Sequence, residues 1–251
     1  MNVLRVEMEG TVTSFRYPHL HVGRQPTYPM PPPATIYGHV CSALGDWEPH
    51  ESIRFAYSFS HEGAGDDLEL LHMTSVGSGR LDKKWGHVRN IEVQTNVLPR
   101  QLLLHPKLTL YLDAGDKTEY WGEMFRSPRY PVLLGRSQDL AAYRAVEMVE
   151  LEQAEVGYLE NTLLPWAMRD RLPFGTTFQM PKFINPRARH SVTWDRYVVL
   201  DRRLWWPNKG VEPPAGARLA FRHASDGAVW IDPQSPAWGS GKRIVIWHSW
   251  I

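Results

Sequence analysis

The run Pro29-Met30-Pro31-Pro32-Pro33 excludes more conformations than any other stretch of this chain. Its prolines lack a backbone donor and hold φ at about −65°, so the run fits neither a helix interior nor an inner strand. It must be an extended connection, and it separates two segments of different period. Upstream, Leu4, Val6 and Met8 alternate with Arg5, Glu7 and Glu9, the period of a half-buried strand with one solvated face. Thr11 to Phe15 continues that strand, with a bulge expected at Gly10. Downstream, Ile36, Val40 and Leu44 share one face of a helix expected from Thr35 to about Leu44, and Gly45 stops it.

The alternation returns at Ile53, Phe55, Tyr57 and Phe59. A turn, Gly63-Ala64-Gly65-Asp66-Asp67, leads to a strand over Leu68 to Val76. Leu108, Leu110 and Leu112 mark another strand. Asp116, with Glu119 three residues on, forms a capping-box-like start to a helix that ends before Pro128. The order is strand, helix, strand, strand, basic insertion, strand, helix. That order is close to the split β-α-β plan of ferredoxin-like and RNA-recognition folds, which sets two helices on one sheet face. The expected class is α+β.

The last third differs in character. Short apolar runs (Val192 to Leu200, Leu219 to Arg222, Ala228 to Ile231, Ile244 to His248) are split by Pro, Gly and Asn, and most tryptophans lie from Trp166 onward. They predict a β-rich layer over residues 151–251, packed on a first domain of residues 1–150. At 251 residues and 43% hydrophobic content, the chain can bury a sizeable core.

Net charge is only +1, so no global field marks a polyanionic partner. The local balance says more. Between Ser78 and Pro106 the bases Arg80, Lys83, Lys84, Arg89 and Arg100 face only Asp82 and Glu92. Such an island can hold phosphate locally, because screening confines its field to ~8 Å at physiological salt. Cys41 is the sole cysteine, which excludes an intrachain disulfide and a Cys-based zinc site. The opening MNVLRVEMEG lacks a signal-peptide core, and no window reaches the ~18–20 apolar residues of a membrane span. The expected location is the cytoplasm.

Four places carry candidate chemistry. The insertion Ser78 to His105 combines phosphate-reaching bases with Trp85 for base stacking; its plain alternative is a soluble hairpin with a charged edge. Gly135-Arg136-Ser137 either presents N–H groups and a guanidinium to phosphate or is simply a turn, and it is no Walker loop. Arg16 and Tyr17 follow the first strand as a phosphate contact and a stacking ring, or Tyr17 packs beneath the proline-rich connection. Arg24, Gln25 and Tyr28 lie in the next loop, which reaches ligand or covers the core. The histidines form no metal-ligand array. An acid–base set can be drawn from Tyr57, Lys83, Lys84 and His87, but sequence does not bring those groups together.

Two islands, FRYPHLHVGRQPTYPMPPPATIYGHVCSALG (residues 15–45) and PRYPVLLGRSQDL (128–140), resemble the Cas-five-type subunits of CRISPR surveillance complexes, in the RAMP superfamily of RNA-binding proteins. LTLYLDAGDKTEYWGEMFRSPRYPVLLGRSQDLA, LLPWAMRD and MPKFINPRAR extend the likeness. The spacing resembles the type I-B and I-A groups. The resemblance implies a ferredoxin-like domain with a long β-hairpin thumb over about 78–106, and a non-catalytic role at the foot of a Cascade complex. It implies the thumb role for Arg80, Lys83, Lys84, Trp85, Arg89 and Arg100. It implies cradling of the guide RNA 5′ handle by Arg16, Tyr17, Arg24, Gln25, Arg136 and Ser137. The implied partners are the crRNA handle, a Cascade backbone subunit and the large subunit, with target DNA met only through the complex. It implies no cofactor, no metal and no membrane. One subtype uses the same fold as a metal-independent endoribonuclease that processes repeat RNA, which is the second reading. A sugar- or peptide-binding β protein is the third.

Overall fold

The computed structural model describes residues 1–251 except 21–22, 48–52, 77–83, 85, 87–90, 189–190, 208–210, 218–219 and 222–227. Among the described residues the fold is mixed α+β, built mainly of antiparallel sheet with two α-helices. Its strands are β1 (Asn2–Gly10), β2 (Val12–Thr13), β3 (Arg54–Ser60), β4 (Gly63–Val76), β5 (Ile91–Leu104), β6 (Lys107–Asp113), β7 (Ala141–Glu150) and β8 (Glu152–Ala154). They continue as β9 (Gly157–Leu159), β10 (Thr162–Pro165), β11 (Thr176–Ile184), β12 (Val192–Leu200), β13 (Leu204–Trp206), β14 (Val229–Asp232) and β15 (Lys242–Ile244). The helices are α1 (Pro33–Leu44) and α2 (Thr118–Arg126).

The main sheet runs β11-β12-β10-β3-β6-β1-β7. Its core follows from the alternation. Leu4, Val6 and Met8 of β1, Phe55, Tyr57 and Phe59 of β3, and Leu108, Leu110 and Leu112 of β6 point to one face. There α1 and α2 cover them with Ile36, Val40, Trp121 and Phe125. Each fully buried apolar side chain of this kind contributes about 1.5–3 kcal/mol. The residues between them serve the other face: Val3, Ala56, Tyr111 and Val149 meet Val245. Val198 and Leu200 of β12 likewise meet Leu204, Ile231 and Ile244 of a second sheet, ordered β13-β9-β15-β14-β8. The run Val192–Leu200 is therefore a strand of the main sheet, which takes strands from both sides of residue 150.

Several local expectations are corrected. The face of β1 that carries Arg5 is not solvated: Arg5 is buried, donating to Asp232 (3.2 Å) and Glu147 (2.7 Å). The register irregularity of β1 lies between Glu7 and Met8, not at Gly10. Helix α1 begins at Pro33, whose missing N–H would have been unpaired at that position anyway. Gly45 ends it in the left-handed region (φ 84°), as expected. At α2, Thr118 closes the first turn, accepting from Ala114 N–H (3.2 Å) and donating to Gly115 O (2.7 Å), while Asp116 sits in a preceding 3₁₀ turn. Residues 63–67, read as a turn, are strand, because β5 pairs with β4 from Gly63↔Leu104 to Val76↔Ile91 without a break.

Candidate nucleic-acid interface

Two turns more than a hundred residues apart meet beside α1. After β2 the chain passes Ser14 to Tyr17, and this segment pairs back onto Thr27 and Tyr28: Phe15 N–H donates to Thr27 Oγ1 (2.7 Å) and Tyr28 N–H to Phe15 O (2.9 Å). The second turn, Leu134–Asp139, follows α2. Asp139 organises it, because its carboxylate accepts from the N–H of Arg136 (2.9 Å) and from the N–H of Ser14 (3.2 Å). One buried carboxylate thus fastens the Gly-Arg-Ser turn to the segment that follows β2. Gly135 (φ 98°) passes so close that an added Cβ would collide with the Thr13 hydroxyl and lie 2.9 Å from the Ser14 carbonyl.

Between the turns and the start of α1 lies a cleft of about 380 Å³. Arg16, Ser14, Thr35, Glu69, Arg136 and Ser137 supply its polar lining, and Pro18, Pro32, Pro181 and Ile184 its apolar walls. Two arginines, Arg136 in the lining and Arg100 behind Glu69, are already committed. Arg136 bonds Asp139 through Nε (3.0 Å) and Nη2 (2.7 Å), and reaches Glu69 through Nη1 (3.3 Å). Hydrogen bonding to Asp139 raises its pKa further above the ordinary arginine value. Arg100, only 1% exposed, bonds Glu69 through Nε. Burial opposes the charge on Glu69, but the Arg100 hydrogen bond and the charges of Arg100, Arg136 and Arg16 outweigh it, so its carboxyl lies below the usual range. Arg136 is balanced by Asp139 and Arg100 by Glu69. Arg16, exposed and without a hydrogen-bond or ion-pair partner among the described residues, carries the surplus charge.

The other site residues divide clearly. Ser137 is exposed on the cleft. Tyr17 is half-buried and stacks on Tyr28 at 3.8 Å. Arg24 is tied to Asp66 at the root of the β4–β5 hairpin (2.7 and 2.8 Å). Gln25 is buried, splicing its loop onto β5: its N–H donates to Pro99 O (2.7 Å) and its carbonyl accepts from Gln101 N–H (2.9 Å). Lys84 is exposed between β4 and β5, whereas Arg80, Lys83, Trp85 and Arg89 lie outside the described residues. Arg100, expected on a solvated thumb, is instead buried at the hairpin root. Sequence reasoning singled out neither Asp139 nor Glu69. Asp139 stood in the Gly-Arg-Ser island, three residues after Arg136, but nothing local marked Glu69.

The hairpin strands are about 45 Å long at the rise of an antiparallel strand, and their root from Leu98 to Leu103 is packed on the body. Its register puts Leu68, Leu70, Val97 and Val93 on one face, and all four are more than half exposed. The acid–base set drawn from the sequence loses a member: Tyr57 lies in the core, donating to Pro31 O (2.6 Å), with burial pushing its pKa well above the ordinary phenol value. Among the described residues no group of three or more His, Cys, Asp or Glu is placed to hold a metal ion, and no helix is long and apolar enough to cross a membrane.

A family model described as CRISPR-associated protein (Cas_Cas5) matches residues 3–207. No curated protein matches the sequence. Among solved structures, a chain of a CRISPR RNA-guided surveillance complex is 16% identical, with a TM-score of 0.51, over 86% of this chain and 95% of that one. A CRISPR protein from Archaeoglobus fulgidus is 11% identical over 99% of both chains, with a TM-score of 0.43. A chain of a type III-B Cmr-beta complex bound to cognate target RNA and AMPPnP is 11% identical, with a TM-score of 0.45, over 79% of this chain and 84% of that one. At 16% identity, the likeness to the surveillance-complex chain is one of fold.

Proposed function

The chain belongs to the CRISPR-associated protein (Cas_Cas5) family, and from that premise we propose that it is a non-catalytic subunit of an RNA-guided CRISPR complex. Its task is to hold the single-stranded 5′ handle of the guide RNA at the foot of the assembly. The observation that carries this reading is the cleft between the Arg16 segment, the Gly135 turn and α1. It is walled by proline and lined by hydroxyls, and Arg16 leaves it one positive charge in surplus. Backbone contacts of this kind grip a fixed strand, while sequence choice is left to guide pairing.

We read β1-α1-β3-β6-α2-β7, with neighbours ordered β3-β6-β1-β7, as a ferredoxin-like, RNA-recognition-like domain within residues 1–150. The β4–β5 hairpin, which begins at Gly63 rather than near residue 78, is its thumb, and residues 151–251 form a β-rich region that extends its sheet through β10, β12 and β11 and lays the second sheet on it. The exposed Leu68, Leu70, Val93 and Val97 face suits docking against the adjacent backbone subunit, with the large subunit as the further protein partner. Target DNA is reached only through the complex. Burial of Tyr57 in the core withdraws it from the acid–base set drawn from the sequence, which supports a binding role over repeat cleavage.

Affinity purification of the assembled complex, followed by sequencing of its RNA, tests the reading. Guides sharing one repeat-derived 5′ end are expected. RNA with random ends would refute handle binding. A discrete cut in repeat transcript by the isolated protein would replace it with the endoribonuclease reading.

A further inference from the structure

The surplus charge on Arg16 meets two further unpaired donors in the same cleft. Helix α1 opens there without a side-chain cap: Pro33 has no N–H, Thr35 and Ile36 both donate to Pro32 O (2.8 and 3.3 Å), and Ala34 N–H has no partner among the described residues. A helix start of this kind favours an anion through its free donor and its dipole. Independently, Ser14 lines the cleft at only 1% exposure, and its hydroxyl has no hydrogen-bond partner among the described residues. Native proteins rarely leave a buried hydroxyl unpaired, because doing so costs about 1–3 kcal/mol. Among the described residues, the one aromatic residue of the lining, Phe15, is buried and offers no face for a base to stack on.

On the reading of this cleft as the guide-RNA site, we propose that it seats one backbone phosphate of single-stranded RNA, bound by Arg16, the α1 N-terminus at Ala34 and the Ser14 hydroxyl. The cleft recognises the phosphodiester and not the base. Arg136 does not bind it: its guanidinium is held by Asp139 and Glu69, so its part is to shape the wall and to keep the Glu69 carboxylate neutralised. Ser137 and Thr35 rim the seat with exposed or half-exposed hydroxyls.

Reconstituted complexes carrying synthetic guides test this directly. Each linkage near the 5′ end is replaced, one at a time, by an uncharged methylphosphonate, and guide dissociation is measured. In the wild-type complex one linkage is expected to stand out, weakening retention about tenfold or more. In Arg16→Ala that same linkage should lose its distinction. Ser14→Ala should melt no lower than wild type when free, since it removes an unpaired buried hydroxyl, yet should weaken retention at the same linkage. Equal sensitivity of all linkages in a complex that still selects its guide would overturn the seat while leaving handle binding intact. Retention of a guide whose 5′ end has been removed as tightly as the full-length guide would instead overturn handle binding. A gain in melting temperature of the free protein with millimolar inorganic phosphate, equal in wild type and Arg16→Ala, would also count against the seat.

Discussion

Lowering the pH from about 7.5 to about 5 should destabilise this protein by about 4 kcal/mol, through two buried histidines. His39 on α1 donates from Nδ1 to Leu133 O (3.0 Å), a tautomer required by the carbonyl, and its Nε2 therefore accepts from the Tyr143 hydroxyl (3.0 Å). His248 donates from Nε2 to Leu163 O (3.0 Å). Burial depresses both from the ordinary 6.5 to about 4, against the smaller opposing pull of those carbonyl hydrogen bonds. The unfolded chain therefore binds more protons than the folded one between about pH 4 and 6.5, so stability is full above that window and falls through it. At about pH 5 each ring withdraws about 2 kcal/mol, and the two sites share no partner, so the losses add. For a chain of this size the melting temperature should drop by about 8–16 °C. Calorimetric melts at the two pH values, at constant ionic strength, measure it. His39→Gln and His248→Gln, which keep an amide donor but cannot titrate, should each remove about half of the drop. A full drop in both variants would refute the assignment. His39 also bears on the cleft, since it ties α1 to Leu133 at the start of the Gly135 turn. Acid should therefore weaken RNA retention before it unfolds the protein.

Asp232→Ala leaves Arg5 and Tyr111 buried without the carboxylate they share (3.2 and 2.7 Å), and should cost about 3 kcal/mol in denaturant titrations, with Glu147 moderating the loss. Gly135→Ala imposes a side chain on a left-handed residue against Thr13 and Ser14, and should lower stability by about 1–3 kcal/mol, with a larger proportional loss of guide retention. Leu70→Asp with Val97→Asp, opposite each other on the exposed hairpin face, should leave the melt of the free protein within about 0.5 kcal/mol of wild type. The same pair should impair co-purification with the complex, and unimpaired co-purification would remove the hairpin face from the docking surface.

Much of the secondary structure was legible from the chain itself, because its signals are local. The alternation of Leu4, Val6 and Met8 states which residues share a face. The prolines before residue 34 and the glycine at 45 bracket α1 through backbone rules that hold wherever the segment lies. The halt of α2 before Pro128 is of the same kind. Where a neighbour decides, local reading failed. Residues 63–67 look like a turn by composition, yet they are strand because β5 supplies the ladder. Arg5 reads as solvated until Asp232, more than two hundred residues later, is folded over it. The cleft is the strongest case. Arg16 and Gly135-Arg136-Ser137 were both visible as candidates, but their meeting depends on Asp139 binding the backbone of Ser14. Sequence also ranked Arg16, Arg100 and Arg136 alike as phosphate-binding charges. Only the tertiary structure cancels two of them, because Glu69 arrives on a different strand and the Coulomb partner of a charge is set by distance through space, not by separation along the chain.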